Sequence, residues 1–470
     1  MRRWVLAAIA VGLALPASAV LPSPLEQRLD AALAARVLRG ARVAGLVVGR
    51  EDGRVLYARS PDRGLVPASN LKILTAIAAL SAFGPSHRFR TELFAGAPPD
   101  ADGAIDVLSI RGSDPALTSE EIWRLAADLR RLGVRRIRGG LRLDDSGFDG
   151  ERWHPSWGRV SARAYHAPVG ALSVNYGAFA VEVGAGEEPG DPVRVILDPP
   201  LPFLRLVNRA RTGRARARSS LRVEPAASNG FEDVVVSGVV PAGREAKTYY
   251  RSVRNPARYA GAVIRYQLEA NGIEVAGETI TGPVPDAVTL LLSFEGKSLG
   301  EIVRLFVKFS NNAIAESLVK AMGARATGAP GTWKSGVAAM LAELASLGLD
   351  VEPLTLVDGS GLSYANRVPP RSFVEALRIA DRSFRFGPEL VAALPIAASD
   401  GTLEERAEGA AHRVRAKTGL LTRVTALSGF AQRADGGEVV FCVMVNGYRG
   451  SDEEAMEALD RFVSELVAGP

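Results

Sequence analysis

The sequence predicts an α+β chain of several domains, and three observations carry that expectation. Hairpin signatures stand near both ends of the chain with helical patterns between them, the arrangement of one α+β domain closed by its terminal segments. The middle of the chain changes to short alternating runs broken by proline. At 470 residues, 47% apolar and 23% charged, the chain is a globular protein too long for one ordinary core.

Met1-Arg2-Arg3, the apolar segment Trp4 to Leu15 and the small residues up to Ala19 read as a secretory leader over positions 1–19. The segment is short for a membrane anchor. The mature protein is therefore expected to be periplasmic or otherwise extracytoplasmic. Ala41 to Gly49 and Arg54 to Arg59 form a hairpin through Glu51-Asp52-Gly53. Behind Pro67 runs an apolar helix, Ile73 to Leu80, whose first turn carries Ser69 and Lys72 on one face. Thr118 with Glu121 makes a capping box, and a strand Ile137 to Leu143 follows, leading into the loop Asp144 to Asp149. Ala178 to Val240 reads as a small β-rich module. Ser298 with Glu301 caps a helix that ends at Ser310-Asn311-Asn312, with another helix beginning near Ala313. Lys417-Thr418-Gly419 immediately precedes the strand Val424 to Gln432, which pairs with Glu438 to Asn446 around Asp435-Gly436-Gly437. A final helix, capped by Ser451 and Glu454, is expected to bury Met456, Leu459, Phe462, Val463 and Leu466. The expected division is a catalytic domain at 20–88 and 288–470, an inserted mixed domain at 89–180 and 245–287, and the nested β-rich module at 181–244.

Composition narrows the chemistry. Cys442 is the only cysteine and lies in an apolar strand, so the fold stands on its core without disulfides. The four histidines are not spaced as a metal set, and neither a metal nor another cofactor is expected. Removing the leader takes the formal charge from +5 to +3. Arg209, Arg211, Arg214, Arg216 and Arg218 crowd one stretch without aromatic residues to stack on bases, which speaks against a nucleic-acid partner. A solvated face is one reading of that cluster, and peripheral association with anionic envelope polymers is the other.

Ser69 is a weak nucleophile until a base takes its proton, and Lys72 can do so only when neutral. A buried lysine beside a second cation loses its proton more readily, and Lys417 is the candidate second cation. A hydroxyl and an amide at Ser310 and Asn312, and a cation, hydroxyl and glycine at Lys417, Thr418 and Gly419, can flank a substrate laid along a strand edge.

In that order the three motifs resemble those of the penicillin-recognising serine hydrolases. Within that group the chain is similar to the class C low-molecular-mass penicillin-binding proteins, the serine-type D-alanyl-D-alanine carboxypeptidase/endopeptidase family. Gly112-Ser-Asp-Pro-Ala-Leu-Thr118, Phe309 to Ala313, Asp358-Gly-Ser-Gly-Leu-Ser363 and Asp400-Gly-Thr-Leu403 support the resemblance. So does the interval of 241 positions between Ser69 and Ser310, where the family carries inserted domains. The resemblance implies a β-lactamase/transpeptidase-like domain, with an antiparallel sheet flanked by helices, and a Ser69 acyl-enzyme formed with peptidoglycan stem peptides or with β-lactams. It implies that Ser310 relays a proton to the leaving amine, that Asn312 holds the substrate amide and that Lys417 with Thr418 binds the terminal carboxylate. The N–H groups of Ser69 and Leu420 are implied as the oxyanion hole. Family members often carry an arginine where this chain has Tyr364. Asp144 or Asp145 with Phe148 offers a receptor for the substrate's free amine, against the reading of a turn acid and a buried aromatic. A serine β-lactamase and a non-catalytic wall-binding scaffold are the competing functions.

Overall fold

Alternation of apolar residues builds the centre of the molecule. In the computed structural model, which describes residues 23–468, five antiparallel strands pair in the order Val414–Leu421, Val424–Gln432, Glu438–Asn446, Arg42–Gly49 and Val55–Arg59. The expected leader at 1–19 lies outside the described residues. Because successive strand residues face opposite sides, Val440, Cys442 and Met444 pack under a helical layer, while Val439, Phe441, Val443 and Val445 meet the terminal helices Pro24–Leu33 and Asp452–Val467. The last helix buries Leu459, Phe462, Val463 and Leu466 as expected; Met456 is half exposed, and Ala455 and Ala458 fill its place where the helix crosses the sheet closely.

The helical layer is centred on Leu71–Phe83, buried on every side from Leu71 to Leu80, and surrounded by Leu299–Lys308, Asn312–Thr327, Trp333–Ser346 and Pro370–Asp381. A helix that is apolar all round must sit inside other elements. The helices starting at Ser119, Leu299 and Asp452 carry the capping boxes read from the sequence.

The chain leaves this domain along Arg88–Ala95 and returns along Thr289–Ser298, two antiparallel neighbours in a second five-stranded sheet with Leu108–Arg111, Leu141–Asp144 and Thr279–Thr281. The run expected as one strand over Ile137 to Leu143 divides into Arg136–Ile137 and Leu141–Asp144 at Gly139-Gly140. Gly140 has φ +86°, a conformation that breaks the pleat and suits glycine. The strands between Ala178 and Ser252 share one core with this sheet: Val181, Val183, Val223 and Val234 pack in the same cluster as Leu93, Leu141 and Ile264. Arg209, Arg211, Arg214, Arg216 and Arg218 all lie exposed on that module.

Candidate active site

Three segments converge where the helical layer meets the outer edge of the first sheet. Ser69 sits in a 3-10 turn, Ala68–Asn70, that leads into the buried helix, rather than in the first α-helical turn. Its N–H, at the start of a helical turn, has no intrahelical acceptor. Ala68 at φ +47° and Ser310 at φ +58° hold left-handed conformations unfavourable to residues with a Cβ, and such positions concentrate at functional sites. Two glycines permit the close packing. A Cβ on Gly361, at φ +83°, would collide with the Ala68 carbonyl, and one on Gly419 would come within 2.8 Å of the Pro67 carbonyl oxygen.

Lys417-Thr418-Gly419 lies inside an edge strand of its own, Val414–Leu421, instead of at the start of Val424–Gln432. The N–H of Ala416 donates outward to the Pro395 carbonyl at 2.9 Å. By the alternation of an antiparallel ladder, the N–H groups of Thr418 and Leu420 point to that same outer edge, where no strand pairs with them among the described residues. Leu420 thus presents a free donor beside the Ser69 turn.

Lys72 is fully buried, with Nζ 3.0 Å from Ser69 Oγ, 2.6 Å from Asn312 Oδ1 and 2.8 Å from the Ser360 carbonyl oxygen. Asn312 Nδ2 donates to the Tyr165 carbonyl at 2.8 Å. A carbonyl can only accept, so this contact fixes the amide with Oδ1 toward Lys72. A neutral lysine has two N–H donors; with these given to Asn312 Oδ1 and Ser360 O, its lone pair faces Ser69. Burial pulls the Lys72 pKa down to about 7, against the opposing charges of Glu316 and Asp358. Lys417, also fully buried, lies 3.0 Å from Ser310 Oγ and donates to the Thr418 carbonyl at 2.8 Å. Burial, then the charge of Lys72, drives its pKa well below the ordinary lysine range. Glu316 and Asp358 support charge on Lys72, whereas no carboxylate among the described residues does so for Lys417. Thr418 Oγ1 donates to Thr402 Oγ1 at 2.7 Å, on a turn pinned by the ion pair of Lys308 with Asp400 at 2.8 Å.

Beneath Lys72 lies an acidic layer that the motifs alone do not reveal. Glu316 accepts from the N–H groups of Gly359 and Ser360 and from Trp333 Nε1, the last at 2.7 Å. Asp358 accepts from Gly361 N, Ser363 N, Asn366 Nδ2 and Trp157 Nε1. Burial, then the charge of Asp358, raises Glu316 to about 7. One signal for Glu316 was present in the sequence: it stands four residues, one helical turn, after Asn312.

Of the two readings of the 144–149 loop, a receptor for the substrate's amine or a turn acid with a buried aromatic, the contacts match the second. Asp144 is buried and receives hydrogen bonds from Ser146 Oγ, Ser146 N, Val284 N and Arg111 Nε, which outweigh burial and hold its carboxyl below the usual range. Asp145 is paired with Arg152 and accepts from Leu172 N at 2.7 Å; burial nonetheless raises its pKa. Phe148 packs in the core of the helical layer, and its backbone bridges to Gly331. Asp144 and Asp145 tie the insertion together internally, and Phe148 seats it against the helical layer. Tyr364 is exposed, its hydroxyl donating to the Thr422 carbonyl at 3.3 Å beside the turn that follows Leu421. Phe309, Tyr165 and Leu420 are also exposed around the convergent motifs. No group of three or more His, Cys, Asp or Glu side chains able to hold a metal occurs among the described residues.

A buried lysine facing a serine, where a helical layer meets the edge of an antiparallel sheet, defines a serine hydrolase of the β-lactamase/transpeptidase-like class. Comparison with known proteins then narrows the class. The D-Ala-D-Ala carboxypeptidase 3 (S13) family matches residues 25–466. A D-alanyl-D-alanine carboxypeptidase of Actinomadura sp. is 36% identical over 444 residues, covering 91% of this chain and 81% of the relative. The D-alanyl-D-alanine carboxypeptidase DacB of Haemophilus influenzae is 28% identical, with 90% and 89% covered. The crystal structure of penicillin binding protein 4 from that organism superposes with a TM-score of 0.80 at 26% identity, covering 93% of this chain and 98% of the other. The chain belongs to the D-Ala-D-Ala carboxypeptidase 3 (S13) family and is a serine-type enzyme of that kind. No helix among the described residues is long and apolar enough to cross a membrane.

Proposed function

We propose that this chain is an exported D,D-carboxypeptidase that removes the terminal D-alanine of peptidoglycan stem peptides through an acyl-enzyme on Ser69. The observation that carries the reading is the placement of Lys72, 3.0 Å from Ser69 Oγ with acceptors for both N–H groups of its neutral form. Neutral Lys72 takes the Ser69 proton as Oγ attacks the carbonyl carbon of the penultimate D-alanine. The oxyanion that forms accepts from the N–H groups of Ser69 and Leu420, an interaction worth about 3–4 kcal/mol per donor in such sites. Ser310 passes a proton to the leaving nitrogen, the C–N bond breaks and D-alanine departs; water then hydrolyses the Ser69 ester.

Lys417 and Thr418 receive the substrate's terminal carboxylate. That anion supplies the counter-charge that Lys417 otherwise lacks, so binding restores its ammonium and lowers the proton affinity of Lys72 at the moment a base is required. Asn312 and the free edge of Val414–Leu421 hold the peptide by strand-like pairing. A β-lactam acylates the same serine. Cleavage of D,D cross-links is the same reaction with another peptide as the leaving amine, and we include that endopeptidase activity in the proposal.

Purified protein is expected to release D-alanine from a stem pentapeptide and to be labelled by fluorescent penicillin, with Ser69→Ala losing both. A folded wild type that does neither would overturn the proposal. Rapid turnover of penicillin would mark a β-lactamase instead, and muropeptide binding without acylation would mark a scaffold.

A further inference from the structure

The insertion does more than brace the molecule, because one of its segments reaches beneath the catalytic lysine. Residues 149–166 leave the second sheet and cross onto the helical layer. Asp149 pairs with buried Lys320 at 2.5 Å, and the Glu151 carbonyl accepts from the same ammonium at 2.7 Å. Further along, Ser156 Oγ lies 2.7 Å from Ser363 Oγ, Trp157 Nε1 donates to Asp358 Oδ2 at 2.9 Å, and the Tyr165 carbonyl accepts from Asn312 Nδ2. Trp157 also meets Trp333 edge to face at 5.7 Å, and Trp333 in turn donates to Glu316.

These contacts bear on both acceptors that orient Lys72. Tyr165 O fixes the Asn312 amide so that Oδ1 faces the lysine. Trp157 and Ser156 hold the two ends of the Asp358–Ser363 loop, whose Ser360 carbonyl is the other acceptor. We propose that the strap 149–166 is a positioning element for acylation: Trp157 and the Tyr165 backbone aim the lone pair of Lys72 at Ser69 and keep water from its side chain. The inference rests on the Ser69 acyl-enzyme reading and extends it, since it makes the insertion part of the catalytic apparatus.

The consequence is a defined pH signature. Burial is the main reason that Lys72 loses its proton near neutrality, so a loosened strap that admits water moves its titration toward higher pH. Glu316, Asp358 and Lys417 are the other charged groups acting around it; Trp157→Phe takes one donor from Asp358, which leaves more of that carboxylate's charge to favour the Lys72 ammonium and so acts in the same upward direction. The strap's own histidines, His154 and His166, have pKa values lowered by burial.

The test compares the full-length wild type with Trp157→Phe, which keeps an aromatic ring and removes the N–H, and with Ser156→Ala. The second-order rate of acylation by fluorescent penicillin is measured from pH 6 to 10, alongside thermal unfolding. For Trp157→Phe the midpoint of the rise in rate is expected to move up by about one unit, lowering the rate about fivefold at pH 7 while recovering it near pH 10. Ser156→Ala is expected to move it in the same direction by less. An unchanged midpoint in the folded variants, whether the rate is unchanged or lowered equally at every pH, overturns the proposal; if Trp157→Phe does not fold, Ser156→Ala alone decides. A wild type that is never acylated would instead overturn the underlying reading of Ser69, and this proposal with it.

Discussion

Replacing Glu316 by glutamine tests whether the acidic layer sets the working pH of the base. Glu316 is fully buried and bridged to Lys72 by one residue: its carboxylate accepts from Ser360 N at 2.7 Å, and Ser360 O accepts from Lys72 at 2.8 Å. Unit charges roughly 7 Å apart interact by about 2.4 kcal/mol at an effective dielectric of 20, or about 1.7 pKa units. Because burial raises Glu316 itself to about 7, it carries only part of its charge near neutrality, and a displacement of about 1 unit is expected. The sign is fixed: Glu316 favours charged Lys72, so its removal lets the lysine lose its proton at lower pH. The acylation rise should therefore move from about pH 7 toward about pH 6 while the plateau rate changes little. Glutamine also turns an amide N–H2 toward groups that donate to the carboxylate, which costs about 1–3 kcal/mol of stability. Thermal unfolding measures that cost separately. Stopped-flow labelling with fluorescent penicillin across pH 5–9 gives the midpoint, and a midpoint that stays or moves upward in folded protein would refute the electrostatic reasoning.

Three other substitutions probe separate parts of the site. Lys72→Met should abolish acylation yet raise the unfolding temperature at pH 7. The pKa of Lys72 is lower folded than unfolded, so the unfolded chain binds the extra proton and stability rises with pH between about 7 and 10; methionine should flatten that rise, as unfolding at pH 7 and 9 would report. Gly419→Ala drives a Cβ against the Pro67 carbonyl and Asn70 Oδ1, moving the Leu420 N–H away from Ser69. Acylation should fall about 10²–10³-fold, as for loss of an oxyanion donor, and an unaltered rate would remove Leu420 from that role. Asp144→Asn should cost about 1–3 kcal/mol in denaturant unfolding through its internal hydrogen bonds while leaving KM for a stem peptide unchanged. A raised KM at unchanged stability would return Asp144 to the substrate pocket.

The parts of the fold that follow local rules were legible in the sequence. Both hairpins, the capping boxes at Thr118, Ser298 and Ser451 and the buried helix after Ser69 follow from alternation, side-chain capping and an unbroken apolar run. The three motifs lie together, with Lys72 against Ser69 and Asn312 and with Lys417 against Ser310. The strand Val414–Leu421 was hidden because its turn uses Thr422 and Arg423, the latter at φ +61°, in place of the usual glycine or asparagine. Burial is the main cause of the low Lys72 pKa, and the opposing carboxylates Glu316 and Asp358 lie outside the three motifs. Asp144 and Asp145 looked like free loop acids because their partners, Val284 and Leu172, are distant in sequence. The strap's contacts with Asn312 and Asp358 join residues 147 and 201 positions apart, and no local pattern announces such contacts.

The central claim is that Ser69 is the acylated nucleophile, and intact-protein mass spectrometry after exposure to benzylpenicillin tests it most directly. One penicilloyl adduct is expected on the wild type, mapped by proteolysis to the peptide containing Ser69 and absent from folded Ser69→Ala. An adduct on another residue, or none on wild-type protein shown to be folded, would contradict it.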